Sequence, residues 1–180
     1  TLYQAQQPGL DAQLESLAAA YREYETPSNH AGLLAFCRQN PGRQAVLGFF
    51  VLGYRDFEDR KFSEAKAYLE QASRSATPIQ DYVGFYLASA AFELKEFKAC
   101  QDQLLDFSSR FPKSPLLARA RLLFWQSSLE LEDGQAVLNS LKGVAGLASN
   151  PDALFYQAQA HELLAEPSKA LPIYQRLYYE

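Results

Sequence analysis

Residues 40–78 read NPGRQAVLGFFVLGYRDFEDRKFSEAKAYLEQASRSATP, a stretch bounded at each end by a capping residue followed by proline. A side-chain oxygen at a cap accepts a hydrogen bond from an orphan amide, and proline suits the first helical position because its missing N–H is not needed there. The signature recurs as Asn40-Pro41, Thr77-Pro78, Ser114-Pro115 and Asn150-Pro151, its prolines 37, 37 and 36 residues apart. A nearly constant period of this size predicts a solenoid of stacked repeats, with helix boundaries near those four prolines.

Each period holds two apolar stripes at helical spacing. Val83, Leu87, Ala91 and Leu94 form one; after a turn at Lys95-Glu96, Cys100, Leu104 and Phe107 belong to the next. Further turns are expected at Asp133-Gly134 and at Glu166-Pro167-Ser168. Ahead of the first period, Leu14, Leu17, Ala18 and Tyr21 mark a helix whose partner opens at Thr26-Pro27. No stretch alternates at period two, so no strand is expected. The predicted fold is all-α: a right-handed α-solenoid of about five antiparallel helix pairs in one domain, residues 1–180. Its units fall at about 8–40, 41–77, 78–114, 115–150 and 151–180. The chain lacks Met and begins Thr1-Leu2, which is expected of a piece of a longer protein.

Composition removes several function classes from expectation. The net charge is −4 without any Lys/Arg run, so the basic face that nucleic acid requires is missing. No apolar run is long enough to span a membrane. Cys37 and Cys100 fall within helical patterns and read as buried thiols, since no ligand or disulfide partner stands at short spacing. His30 and His161 stand alone and read as surface or edge residues. Neither a metal site nor a cofactor is expected, and no Gly-rich phosphate loop occurs. Glycoside cleavage needs a carboxyl group in an environment that raises its pKa. Glu15, in the one Glu-Ser pair, lies in an ordinary amphipathic pattern, so no catalytic residue is expected.

Phe49, Leu52, Gly53, Ala65, Leu69, Ala72 and Pro78 resemble the tetratricopeptide (TPR) pattern, and Phe97, Cys100, Leu104 and Pro112 repeat its second half. Phe124-Trp125 stand where that pattern carries small residues, so the third unit is expected to pack at an unusual spacing. Two finer resemblances point to the bacterial envelope. Leu105 to Leu116 looks like the inter-repeat junction of periplasmic TPR proteins. The run Ala170-Leu171-Pro172-Ile173-Tyr174-Gln175-Arg176-Leu177-Tyr178-Tyr179, with Leu52-Gly53-Tyr54 and Asp81-Tyr82 to Ala91, is similar to the helical N-terminal region of soluble lytic transglycosylases. That resemblance implies a periplasmic scaffold preceding a lysozyme-like domain that cleaves peptidoglycan strands. The alternative is a free-standing periplasmic TPR adaptor for a protein partner.

In TPR solenoids the first helix of each pair lines a concave groove. By resemblance its inward residues are Leu47, Phe50, Tyr54 and Phe57; Tyr82, Phe85, Ser89 and Phe92; Arg119, Leu122, Gln126 and Leu129; and Phe155 and Gln159. The carboxylate clamp of chaperone adaptors is missing, because Phe50 and Tyr54 replace its first members. Phe50, Tyr54, Phe57, Tyr82, Phe85 and Phe92 are therefore the candidate binding residues. Expected partners are an apolar peptide helix, the protein's own C-terminal domain, or a glycan strand. The same six rings also fit a second reading, as core between neighbouring repeats.

Overall fold

The computed structural model describes residues 9–179, which are helical with short connections and contain no β-strand. The α-helices in order are α1 (Leu10–Glu23), α2 (Pro27–Gln39), α3 (Arg43–Glu58), α4 (Phe62–Ser73), α5 (Gln80–Glu93) and α6 (Phe97–Leu104). They continue as α7 (Phe107–Arg110), α8 (Leu117–Glu130), α9 (Gly134–Leu141), α10 (Pro151–Leu163) and α11 (Pro167–Tyr179). Helices α1 and α2 pack together, as do α3 and α4, α8 and α9, and α10 and α11. Compact packing divides the chain into two units, meeting between Ala90 and Ala91 inside α5. Residues 1–8 and 180 of the expected domain lie outside the described residues.

The cap-and-proline pairs act in two ways. Thr26 and Asn150 are true N-caps: Thr26 Oγ1 accepts from the Asn29 amide at 3.2 Å, and Asn150 Oδ1 accepts from the Ala153 amide at 3.1 Å. Pro27 and Pro151 then open α2 and α10. The other three prolines stand two residues ahead of their helices, which begin at Arg43, Gln80 and Leu117. There proline occupies the second position of a tight turn, which its fixed φ also favours. The Thr77 carbonyl accepts from the Gln80 amide, and the Ser114 carbonyl from the Leu117 amide, both at 3.2 Å. Asn40 turns back to close α2, its side-chain amide donating to the Phe36 carbonyl at 2.9 Å.

The repeat is also written at the back of every pair after α1 and α2. Arg60, Lys95, Glu132 and Ala165 all adopt left-handed backbone, with φ of 62°, 60°, 56° and 56°. The amide following each one reaches back five residues: Lys61 to Asp56, Glu96 to Ala91, Asp133 to Ser128 and Glu166 to His161, at 2.8–2.9 Å. This satisfies a helix-terminal carbonyl and turns the chain into the next helix, as in a Schellman motif. None of the four residues is glycine. The turns expected at Lys95, Asp133 and Glu166 are all in place.

Burial then fixes the pairs. In the first unit Leu14, Tyr21, Leu33, Phe36, Cys37, Ala45 and Leu52 form one core cluster, and Val46, Ala72 and Val83 a second. Gly53 sets the approach of α3 to α4: an added Cβ would lie 2.8 Å from Leu69 Cγ and 3.0 Å from the Ala65 carbonyl oxygen. In the second unit Cys100, Leu104, Phe107, Ala120, Phe124, Val137 and Leu141 are buried. So are Gln101, Ser127 and Ser128. Gln101 Nε2 donates to Ser128 Oγ and to Asp133 Oδ2, both at 3.1 Å. Asp133 Oδ1 accepts from the Ala136 amide at 3.0 Å, so one network ties α6, α8 and the start of α9.

Candidate functional site

The spacing of Phe50, Tyr54 and Phe57 puts three rings on one face of α3, and α5 sets Tyr82 and Tyr86 against them. Tyr86 is the centre. Its ring lies 4.9 Å from Tyr54, 5.4 Å from Phe57 and 6.1 Å from Phe50, centroid to centroid. Phe50 meets Tyr54 at 5.9 Å and Tyr82 at 6.4 Å, and Phe62 of α4 meets Phe57 at 5.5 Å. Most of these contacts are edge-to-face, the arrangement that the ring quadrupole favours. All six rings are half-buried. They are packed on one side and wet on the other.

Phe85 does not share this face. It is 4% exposed, and Ser89, assigned to the same inner row, is also buried, its hydroxyl donating to the Phe85 carbonyl at 2.8 Å. Helix α5 is apolar nearly all round, with Val83, Ala88, Ala90 and Ala91 also buried. Periodicity cannot mark the outward stripe of such a helix. Tyr86 was missed for the same reason; its place one turn after Tyr82 is the signal that would have found it.

Phe92 belongs to the second unit and takes part in a separate feature. Its ring is edge-on to Phe97 at 5.3 Å. It lines a depression of about 590 Å³ together with Gln126, Leu129, Phe155 and Gln159. All five were assigned to inner faces from the sequence, and the structure brings them together. Phe155 is 44% exposed, and the carboxylates of Glu130 and Glu132 border the same depression.

Few charges touch the ring cluster. Tyr54 donates its hydroxyl to Glu58 Oε1 at 2.9 Å, and that bond, with burial and the neighbouring Tyr86, pushes its pKa up to about 12. Arg55 pairs with Glu25 and Glu58. Behind α3, Asp56 is buried at a polar cavity lined by Tyr21, His30, Lys61 and Tyr68. Burial raises its carboxyl pKa, and Lys61 opposes the rise. Neither histidine is an exposed edge residue. His30 Nε2 bonds Tyr68 Oη at 3.1 Å, and His161 Nδ1 bonds Glu166 Oε2 at 2.8 Å, both half-buried. Cys37 and Cys100 are free and buried, and burial raises each thiol to about 11. Among the described residues no three His, Cys, Asp or Glu side chains converge as a metal site, and Glu15 is exposed on α1.

By sequence the chain matches no family model and no curated protein. Solved structures match it closely in shape. MamA of AMB-1 superposes with a TM-score of 0.66 at 14% identity, over 94% of this chain and 96% of that one. MamA of MSR-1 gives 0.65 at 14% identity, covering 94% of each chain. A Podosopora anserina kinesin light chain protein with nearly identical TPR-like repeats gives 0.61 at 13%, over 94% of this chain and 93% of that one. The fold is that of the TPR-like helical repeats.

Proposed function

We propose that this chain is a non-catalytic binding domain and that the ring cluster of α3 and α5 receives an apolar segment of a protein partner. The observation that carries the reading is the half-exposure of Phe50, Tyr54, Phe57, Tyr82 and Tyr86 on one face. Aromatic side chains contribute large contact area at little conformational cost and dominate binding hot spots. A protein segment is proposed over a sugar ring because most of these rings pack edge-to-face, which makes an uneven apolar surface.

The test uses a peptide selected from a random helical library on the whole chain. Tyr54→Ala combined with Tyr82→Ala should weaken that peptide at least about tenfold, or ~1.4 kcal/mol, with the melting midpoint nearly unchanged. Lost stability with unaltered peptide affinity would return the rings to the core.

The proposal extends to context. The Leu105–Leu116 junction and the Ala170–Tyr179 run support a bacterial envelope protein, the periplasmic superhelical part of a lytic transglycosylase. Purified peptidoglycan incubated with this chain should release no muropeptides, since a catalytic domain would lie elsewhere in the protein. Fractionation that places the protein in the cytoplasm would remove this context and leave the ring-cluster reading standing. A gene without a lysozyme-like domain would favour the free-standing adaptor.

A further inference from the structure

Helix α6 stops at Leu104, and the chain restarts as the four-residue α7 at Phe107. Between this break, α8 and α9 lies a cavity of about 370 Å³, within the range that accommodates small molecules. Its walls are mainly apolar, with Leu104, Phe107, Phe124 and Trp125 prominent. Trp125 stands where the repeat pattern carries a small residue. It is 2% exposed, and its indole N–H donates to Ser140 Oγ at 2.7 Å, which pins the ring as a wall.

The charge of the cavity is one-sided. Arg121 lines it, held by its Nε donating to Ser108 Oγ at 3.4 Å. Among the described residues no carboxylate pairs with that guanidinium, whose terminal nitrogens keep their donors free. Lys142 approaches Asn139 of the same wall, Nζ to Oδ1 at 2.9 Å. No Asp or Glu lines the cavity, in a chain whose net charge is −4. A mainly apolar pocket with one planar cation at its wall fits a carboxylate, which the guanidinium fork binds through two parallel bonds.

We propose that this cavity binds a small carboxylate with an apolar body, an alkanoic or arylalkanoic acid, its body against Leu104, Phe124 and Trp125 and its carboxylate on Arg121. The site is separate from the ring cluster and stands or falls independently of it.

The one tryptophan of the chain is the reporter. Titration with octanoate should change Trp125 emission saturably, and octanol should bind at least about tenfold more weakly, a difference of ~1.4 kcal/mol. Arg121→Gln should weaken octanoate by a similar factor and leave octanol unaffected. Ala136→Leu should narrow the cavity and weaken both ligands; circular dichroism and the melting midpoint confirm that each variant is folded. Equal affinity for octanoate and octanol, no effect of Arg121→Gln, or no saturable signal overturns the proposal. A saturable signal from acetyl-Ala-Leu-Phe with a free carboxylate, and none from octanoate, also overturns it and places a protein chain end in the cavity.

Discussion

Up to Ala90 glycine and leucine make the tightest helix contacts; beyond Ala91 buried serine, glutamine and tryptophan stand beside one close glycine contact, Gly134, whose added Cβ would lie 2.7 Å from the Ala160 carbonyl oxygen. In the first unit a Cβ at Gly48 would overlap Cys37 Sγ, and one at Gly53 would press on Leu69 and the Ala65 carbonyl, so backbones approach with no space to spare. In the second unit Ser127 and Ser128 are fully buried, Gln101 bridges two helices, and a 370 Å³ cavity remains beside Trp125. The two kinds of contact have different consequences. Close apolar packing loses heavily when any side chain shrinks, because the surroundings cannot collapse. A polar network with an adjoining space fixes geometry by direction and leaves room for a guest.

The sharpest way to break this contrast is a matched pair of truncations. Leu52→Ala, at a position with no exposure in the first unit, should cost about 3–5 kcal/mol. Leu104→Ala, buried but already bordering the cavity, should cost only about 2–3 kcal/mol. Urea denaturation measures both, and equal losses would mean that the two units are packed alike. Next in size is Gly53→Ala. Overpacking of this kind costs about 1–3 kcal/mol, which outweighs the gain of up to ~1 kcal/mol in helix propensity. A stabilised variant would show that α3 and α4 can separate freely.

One feature is common to both units, so its prediction is symmetrical. Arg60→Gly and Ala165→Gly relieve a left-handed backbone that side chains tolerate poorly. Each should raise stability by about 0.5–1 kcal/mol in a thermal melt. A gain confined to one unit would make its turn different from the other's.

Smaller still is an alkaline effect, again one residue per unit. Tyr54 bonds Glu58 within α3, and Tyr174 bonds Glu162 across α10 and α11 at 2.7 Å; both phenols are pushed up to about 12. For Tyr174 the larger cause is burial, and for Tyr54 it is the carboxylate. Their folded pKa values exceed the ordinary value of 10.0, so the folded state keeps protons that the unfolded chain has lost. The stability from these pairs is complete below pH 10 and disappears as pH rises towards 12. Tyr54→Phe and Tyr174→Phe should each remove one late-titrating phenol from the ultraviolet absorbance curve and flatten the decline in melting midpoint. The least effect is expected of the thiols. With both near 11 and buried, Cys37 and Cys100 should react with a thiol reagent at pH 8 only on unfolding, and at matched rates.

Much of this was legible in the sequence. Prolines behind capping residues gave the period, and apolar spacing gave the pairs, because local backbone chemistry decides both. The exact starts of α3, α5 and α8 were displaced because Asn-Pro, Thr-Pro and Ser-Pro serve a tight turn as well as a helix cap. On α3 the spacing of Phe50, Tyr54 and Phe57 implied one shared face, and in the structure the three rings are half-buried together. On α5 apolar residues surround the helix, so Phe85 and Ser89 were assigned to the groove face when both are buried, as the core reading had it for Phe85, and Tyr86 was passed over. Trp125 stood out in the sequence; that it lines a cavity with Arg121 at its edge depends on where α6 breaks. No period records that.

The four left-handed turns have a consequence for inheritance. Each is held by an amide and a carbonyl five residues apart, groups that every substitution except proline leaves in place. Arg, Lys, Glu and Ala already occupy one equivalent corner within a single chain. A repeat closed in this way constrains its letters weakly and its path strongly. Lineages built on it can drift in sequence until only the path remains common, while each member turns its corners and spaces its helices as its ancestors did.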